Sequence, residues 1–178
     1  MTNYLKYYDL ERYLFEEVGP SFRSSGTLDP VDFYTILIWK ANRAKTRHRD
    51  RLSKHAAGFE GAVQEIASEL HGCPDRKGKL SFLIGDKWKF RLPTASAILT
   101  VLYPDDFTVY DVRVCNALGD HSGLDQKSDF DEMWAGYERF IGQVRDTTPA
   151  GLSLRNKDRY LWGKSFYADV QKDLGLTP

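Results

Sequence analysis

The stretch from Leu92 to Leu118, LPTASAILTVLYPDDFTVYDVRVCNAL, decides how this chain is read. Leu92-Pro93 makes a rigid turn, and Thr94 is placed to cap a helix. Ala95, Ile98, Leu99 and Leu102 follow at helical spacing, which predicts a helix with one buried apolar face. Pro104-Asp105-Asp106 ends it, because proline lacks a backbone donor and disfavours helix in the residue before it. Phe107 to Tyr110 then reads as extended chain, and Asp111 stands where a second helix, Val112 to Leu118, should begin. An aspartate at a helix start is first of all a cap, since its carboxylate accepts from the unpaired N–H groups of the first turn.

The chain on either side of this stretch also patterns as helix. Upstream, Lys77 to Ile84 predicts a helix, joined to the Thr94 helix by a hairpin from Gly85 to Pro93. Trp88 and Phe90 read as packing residues, although an aromatic at a hairpin tip can also wedge a base step. Before them, Phe59, Ala62, Val63, Ile66, Ala67 and Leu70 form one stripe, ending at His71-Gly72-Cys73-Pro74. His71 and Cys73 alone do not make a metal site, and no metal is expected. Asp29-Pro30 supplies a cap and a proline at the first helical position, opening a helix with Phe33, Ile36, Leu37, Ala41 and Ala44 on one face. Tyr7, Leu10, Leu14 and Val18 mark the first helix, which Gly19-Pro20 should end, with Ser21 to Thr27 as loop.

Downstream, Asp120 to Gln126 is polar loop, and Phe130, Met133, Trp134, Tyr137, Ile141 and Val144 mark a long helix. A last helix from about Leu154 to Leu174 sets Tyr160, Gly163, Tyr167, Val170 and Leu174 on one side. Trp162 and Phe166 lie four apart on another side. Helix-on-helix packing is the expected role of that pair; exposed, it would point to a base-stacking or partner surface.

Hydrophobic residues make up 42% and charged residues 28% of the 178, the balance of an ordinary globule. With 25 basic and 25 acidic residues the formal net charge is zero, so bulk electrostatics gives no signal for nucleic acid and only uneven placement can. The run from Arg43 to His55 is such a placement: Arg43, Lys45, Arg47, Arg49, Arg51 and Lys54 stand against Asp50 alone. It reads either as a solvated helix face or as an edge that meets phosphates. The N-terminus shows no signal-like apolar core and no run approaches a membrane span, so a cytoplasmic protein that does not enter the membrane is expected. Two cysteines, Cys73 and Cys115, exclude a disulfide framework and a four-cysteine cluster. Nucleophile elbows, phosphate loops, zinc-protease motifs and dinucleotide fingerprints are absent from the sequence.

Residues 80–118 resemble the helix-hairpin-helix DNA glycosylase superfamily, whose members read roughly Leu-Pro-Gly-Val-Gly-x-x-Thr-Ala, then an apolar helix, then Phe-Pro-Val-Asp-x-x-Val. Thr94-Ala95 matches the end of the hairpin, and Phe107-Thr108-Val109-Tyr110-Asp111-Val112-Arg113-Val114 matches the aspartate segment. Asp111 falls 16 positions after Ala95, a spacing found in several branches of the family. Lys89 and Arg91 stand where the two hairpin glycines would be, and Pro93 where lyase-active members carry a Schiff-base lysine. Over residues 28–80 the likeness is suggestive, and beyond 118 it reduces to further helices.

The helical pattern along the chain reads as a single all-α domain over residues 1–178, undivided or as two small lobes facing a cleft. The resemblance implies a glycosylase-like bundle with its helix-hairpin-helix region at about 77–118. It implies monofunctional hydrolysis of the N-glycosidic bond of a flipped, modified base in duplex DNA, with Asp111 as the catalytic carboxylate and no cofactor. Lys87, Lys89, Arg91 and Thr94 would hold phosphates at the hairpin. Trp39, Lys40, Asn42 and Arg43 sit where the family places DNA-facing residues after the last turn of its early apolar helix. Asn42, Arg43 and, from the basic run, Lys45 and Arg47 are the expected DNA contacts there. A monomer is expected. The alternatives are a non-catalytic module binding nucleic acid or protein on a degenerate glycosylase fold, and a glycosidic-bond enzyme acting on a nucleoside or a single strand.

Overall fold

The computed structural model describes residues 4–176, and among them the regular structure is helix throughout, with no strand. The fold is all-α. No helix among the described residues is long and apolar enough to cross a membrane. The chain divides into two compact units that meet in sequence between Tyr103 and Pro104.

The first unit begins with a 3-10 turn, Tyr4–Tyr7, followed by α1 (Leu10–Tyr13), a π-helical turn (Leu14–Val18) and α2 (Gly19–Ser25). The last three run on without a break, so Gly19-Pro20 does not end the first helix as its sequence suggests. A proline inside a helix loses one backbone bond and crowds the carbonyl four residues earlier. Here the turn before it is widened: Gly19 N–H bonds Leu14 O, five residues back, which is one way a helix carries a proline. Gly19 also permits a close approach, since a Cβ there would lie 2.4 Å from the Val101 carbonyl oxygen. The stop comes at Gly26, whose left-handed backbone (φ 71°) closes α2.

Asp29 then caps α3 (Pro30–Ala41), accepting from Val31 N–H at 2.7 Å, and Phe33, Ile36 and Leu37 are fully buried. α4 (Lys45–Leu52) carries the basic run. α5 (Gly58–Gly72) buries the stripe Ala62, Val63, Ile66, Ala67 and Leu70. α6 (Arg76–Ile84) starts at Asp75, whose carboxylate accepts from Gly78 N–H. The helix read from the central stretch is α7 (Leu92–Leu102), with two corrections. Its N-cap is Arg91 rather than Thr94, because Leu92 is already helical and Pro93 occupies the first turn. Moreover it is buried on every side, Ser96 and Thr100 included, and their hydroxyls bond the carbonyls of Pro93 and Ser96. A helix apolar all round is a central one; α7 packs against α2, α3 and α6.

In the second unit, Phe107–Tyr110 is non-helical and wholly buried, leading into α8 (Val112–Leu118), which Gly119 ends with φ 76°. A 3-10 turn, Leu124–Gln126, precedes α9 (Phe130–Asp146), whose buried face is Met133, Trp134, Tyr137, Phe140, Ile141 and Val144. α10 (Leu154–Asp173) follows, capped by Ser153. Its buried face is not the one its hydrophobic residues suggest. Leu154, Asp158, Leu161 and Ser165 face inward, and Tyr160, Tyr167 and Leu174 are exposed. Asp158 is tolerated in this seam because Arg155, one turn earlier, pairs with it. Trp162 and Phe166 are also exposed, so helix packing is not their role.

Candidate functional site

Two places carry the residues singled out by the sequence, one in each unit. In the first, α6 turns into α7 through residues 85–91. Trp88 and Lys89 N–H groups both bond Gly85 O, at 3.1 and 2.8 Å, and Phe90 N–H bonds Leu83 O at 3.0 Å. The turn requires a left-handed residue, and Lys89 takes it with φ 48°. That conformation ordinarily favours glycine, because a Cβ crowds the carbonyl. Trp88 and Phe90 point inward, 3% and 1% exposed, which makes them packing residues and leaves no wedge at the tip.

Packing brings the basic helix onto this loop. Arg51, counted from sequence among the phosphate cations, instead turns inward, and its Nη1 donates to Lys89 O at 2.9 Å. Its guanidinium lies 4.8 Å from the Phe90 ring, and the His48 ring 5.3 Å from it. His48 is buried, and burial together with Arg51 and Arg47 lowers its pKa to about 4, so the imidazole is neutral near pH 7. The hairpin and α4 are therefore one packed piece, although the residues that join them lie 38 positions apart. The signal in the sequence was His48 and Leu52, four apart and both buried, which give this charged helix an inner side.

Around that piece the expected contact residues are placed unequally. Arg43 and Arg47 are exposed. Asn42 closes α3 and accepts from the Lys45 ammonium. Arg49 is held by Asp50 at 2.6 Å. On the hairpin, Lys87 pairs with Glu65, which also bonds His55 at 3.0 Å; Lys87 first, and His55 after it, hold that carboxyl below its usual range. Lys89 reaches Asp86 only at 3.9 Å, both ends well exposed, a contact of little energetic weight. Arg91 is exposed at the start of α7, and Thr94 is only 8% exposed, within its first turn.

In the second unit, the segment before Asp111 is pinned from three directions. Tyr137 Oη donates to Thr108 O at 2.5 Å, Tyr110 Oη donates to His121 O at 2.6 Å, and Leu124 N–H donates to Tyr110 Oη at 3.1 Å. Burial pushes the Tyr110 phenol up to about 12, so it remains a donor at neutral pH. Thr108 Oγ1 is buried with no partner. Asp111, at the end of this clamp, is half-buried and caps α8, its Oδ1 accepting from Arg113 N–H at 2.9 Å. Arg113 pairs with Asp169 of α10 at 2.6 Å.

The arrangement offers a carboxylate held at a fixed point on buried backbone, and separately a loop and helix bearing exposed cations. Among the described residues, no group of three or more His, Cys, Asp or Glu is placed to hold a metal ion. No family model matches the chain, and no significant similarity to a curated protein or a solved structure was found.

Proposed function

We propose that the chain is a helix-hairpin-helix nucleic-acid-binding protein of the monofunctional DNA glycosylase type. One observation carries the reading: residues 85–91 form a tight turn between two helices, with Lys89 left-handed where the resembled family has glycine, and the basic α4 is docked on it. The N–H groups of Trp88, Lys89 and Phe90 are spent inside this turn, so phosphates would be held by side-chain cations rather than by backbone donors. Lys89 adds a charge that glycine lacks, and Arg43 and Arg47 extend the basic surface. Contacts of this kind hold backbone phosphates without reading sequence.

The chemistry rests on Asp111. An ionised carboxylate stabilises a sugar that becomes oxocarbenium-like as the base departs, or orients the water that attacks it. In the net reaction the water oxygen bonds to C1′ and the glycosidic C–N bond breaks. The base nitrogen leaves with a proton. With Pro93 in place of a lysine, the product is an intact abasic site. The residues recognise a modified base in DNA as a class and do not name the lesion.

A second reading, a non-catalytic binding module, is favoured by the engagement of Asp111 as a cap and of Lys87 with Glu65. The test that separates them uses duplexes each bearing one oxidised, alkylated, deaminated or mismatched base, with abasic sites revealed by hot alkali. The enzyme reading expects alkali-dependent cleavage of one class by wild type and none by Asp111→Asn. Binding without cleavage of any duplex would leave the module.

A further inference from the structure

The proposed hydrolysis leaves one surface of α10 without a role. Next to its buried seam stand Trp162 and Phe166, one helical turn apart. Their rings stack with centroids 5.6 Å apart and planes within 10°, yet they are 43% and 47% exposed. Two other stacked pairs, His55–Trp88 and Tyr137–Phe140, differ in that each has at least one ring buried. The guanidinium of Arg113, from the first turn of α8, lies 5.3 Å from the Trp162 ring and 5.6 Å from the Phe166 ring. Asp169 pairs with it there at 2.6 Å. Two flat rings are thus presented to solvent beside a cation.

Resting on the nucleic-acid reading above, we infer that Trp162 and Phe166, completed by Arg113, form a platform on which an unpaired base of the bound strand stacks. Any base offers a π-face to such rings, so stacking tolerates sequence. The choice of occupant follows from the arginine. Under the nucleic-acid reading a nucleotide suits the site, since it brings both a π-face for the rings and a phosphate for the guanidinium. The Arg113–Asp169 pair is no barrier, because Asp169 is 61% exposed and surface pairs of this kind are weak enough for a phosphate to compete. Arg113 N–H is also the group that Asp111 caps, so platform and carboxylate are tied to the same turn of α8. Trp162 and Phe166 act in positioning, with no part in bond breaking.

The test compares two tagged single strands of equal length, one with normal bases and one of abasic units carrying phosphates alone. The paired variant Trp162→Leu/Phe166→Leu keeps apolar bulk and helix propensity. It is expected to bind the base-bearing strand roughly tenfold more weakly, to bind the abasic strand like wild type, and to recover with Trp162→Tyr in place of leucine. Should the double variant melt early, Trp162→Leu alone supports the same comparison. Wild-type-like binding of the base-bearing strand by these variants would overturn the platform and leave the phosphate grip standing. The platform is equally overturned if the substitution dissociates a dimer while strand affinity stays unchanged. If wild type binds neither strand at low salt, the nucleic-acid reading fails, and the platform with it.

Discussion

The hairpin with α4, in the first unit, and the outer face of α10, in the second, present different side chains to solvent. In the first, around the hairpin, Phe33 and Phe90 are buried and α7 is enclosed on all sides, and what the hairpin and α4 present to solvent includes the cations Arg43, Arg47 and Lys89. In the second, α10 buries a narrow seam and leaves Trp162 and Phe166 in water, near a clamped aspartate. Cations bind phosphates whatever the sequence, while rings and a carboxylate address a base and its sugar. Under the proposed function the difference teaches that backbone grip and base handling would be separable, each lodged in its own unit, and substitutions should separate them.

The largest separation is expected at Asp111. Asp111→Asn should lower single-turnover cleavage on the order of 10²–10³-fold with strand affinity kept, because asparagine caps a helix about as well as aspartate. Equal falls in cleavage and affinity would break the comparison. In the first unit, Gly19→Ala should cost about 2–3 kcal/mol, since the new Cβ meets the Val101 carbonyl, a backbone atom, at 2.4 Å. Thermal melting measures that destabilisation.

A smaller effect follows from His48. Its folded pKa of about 4 lies below the ordinary 6.5. The unfolded chain therefore takes up a proton first as pH falls, and stability present above pH 6.5 drains away down to about pH 4. The decrease should be about 1–2 kcal/mol, and His48→Gln should flatten this part of the melting-temperature profile. Lys89→Gly should do two opposed things: relieve the left-handed strain, stabilising by up to ~1 kcal/mol, and weaken nucleic-acid binding. The smallest change is Thr108→Val in the clamp. It removes a buried hydroxyl with no partner, so the melting temperature should hold or rise slightly.

The sequence announces a local feature where residue type and spacing alone decide it. Asp29 and Asp111 are caps because a short carboxylate before a helix has unpaired N–H groups in reach. The faces of α5 and α9 are legible because their apolar residues recur every three or four positions. Pro20 misleads because its accommodation depends on the π-turn before it and on α7 alongside Gly19. On α10 the aromatic residues outweigh the true seam, two of whose four members are polar. The candidate site shows the same limit. Asp111 can be picked out by register, but the docking of Arg51 on Lys89 O joins distant segments and turns an expected phosphate ligand inward. Nor does the spacing of Trp162 and Phe166 tell whether they pack or face water; only the neighbouring helix decides that.

The central claim is that α4 and the hairpin grip backbone phosphates, and the salt dependence of duplex affinity tests it most directly. Wild type should lose affinity linearly in log salt, and replacing Arg43, Arg47 and Lys89 with glutamine should make that slope shallower by about 0.9 for each phosphate no longer neutralised. A wild-type affinity indifferent to salt, or a slope unchanged in the triple variant, would contradict the account.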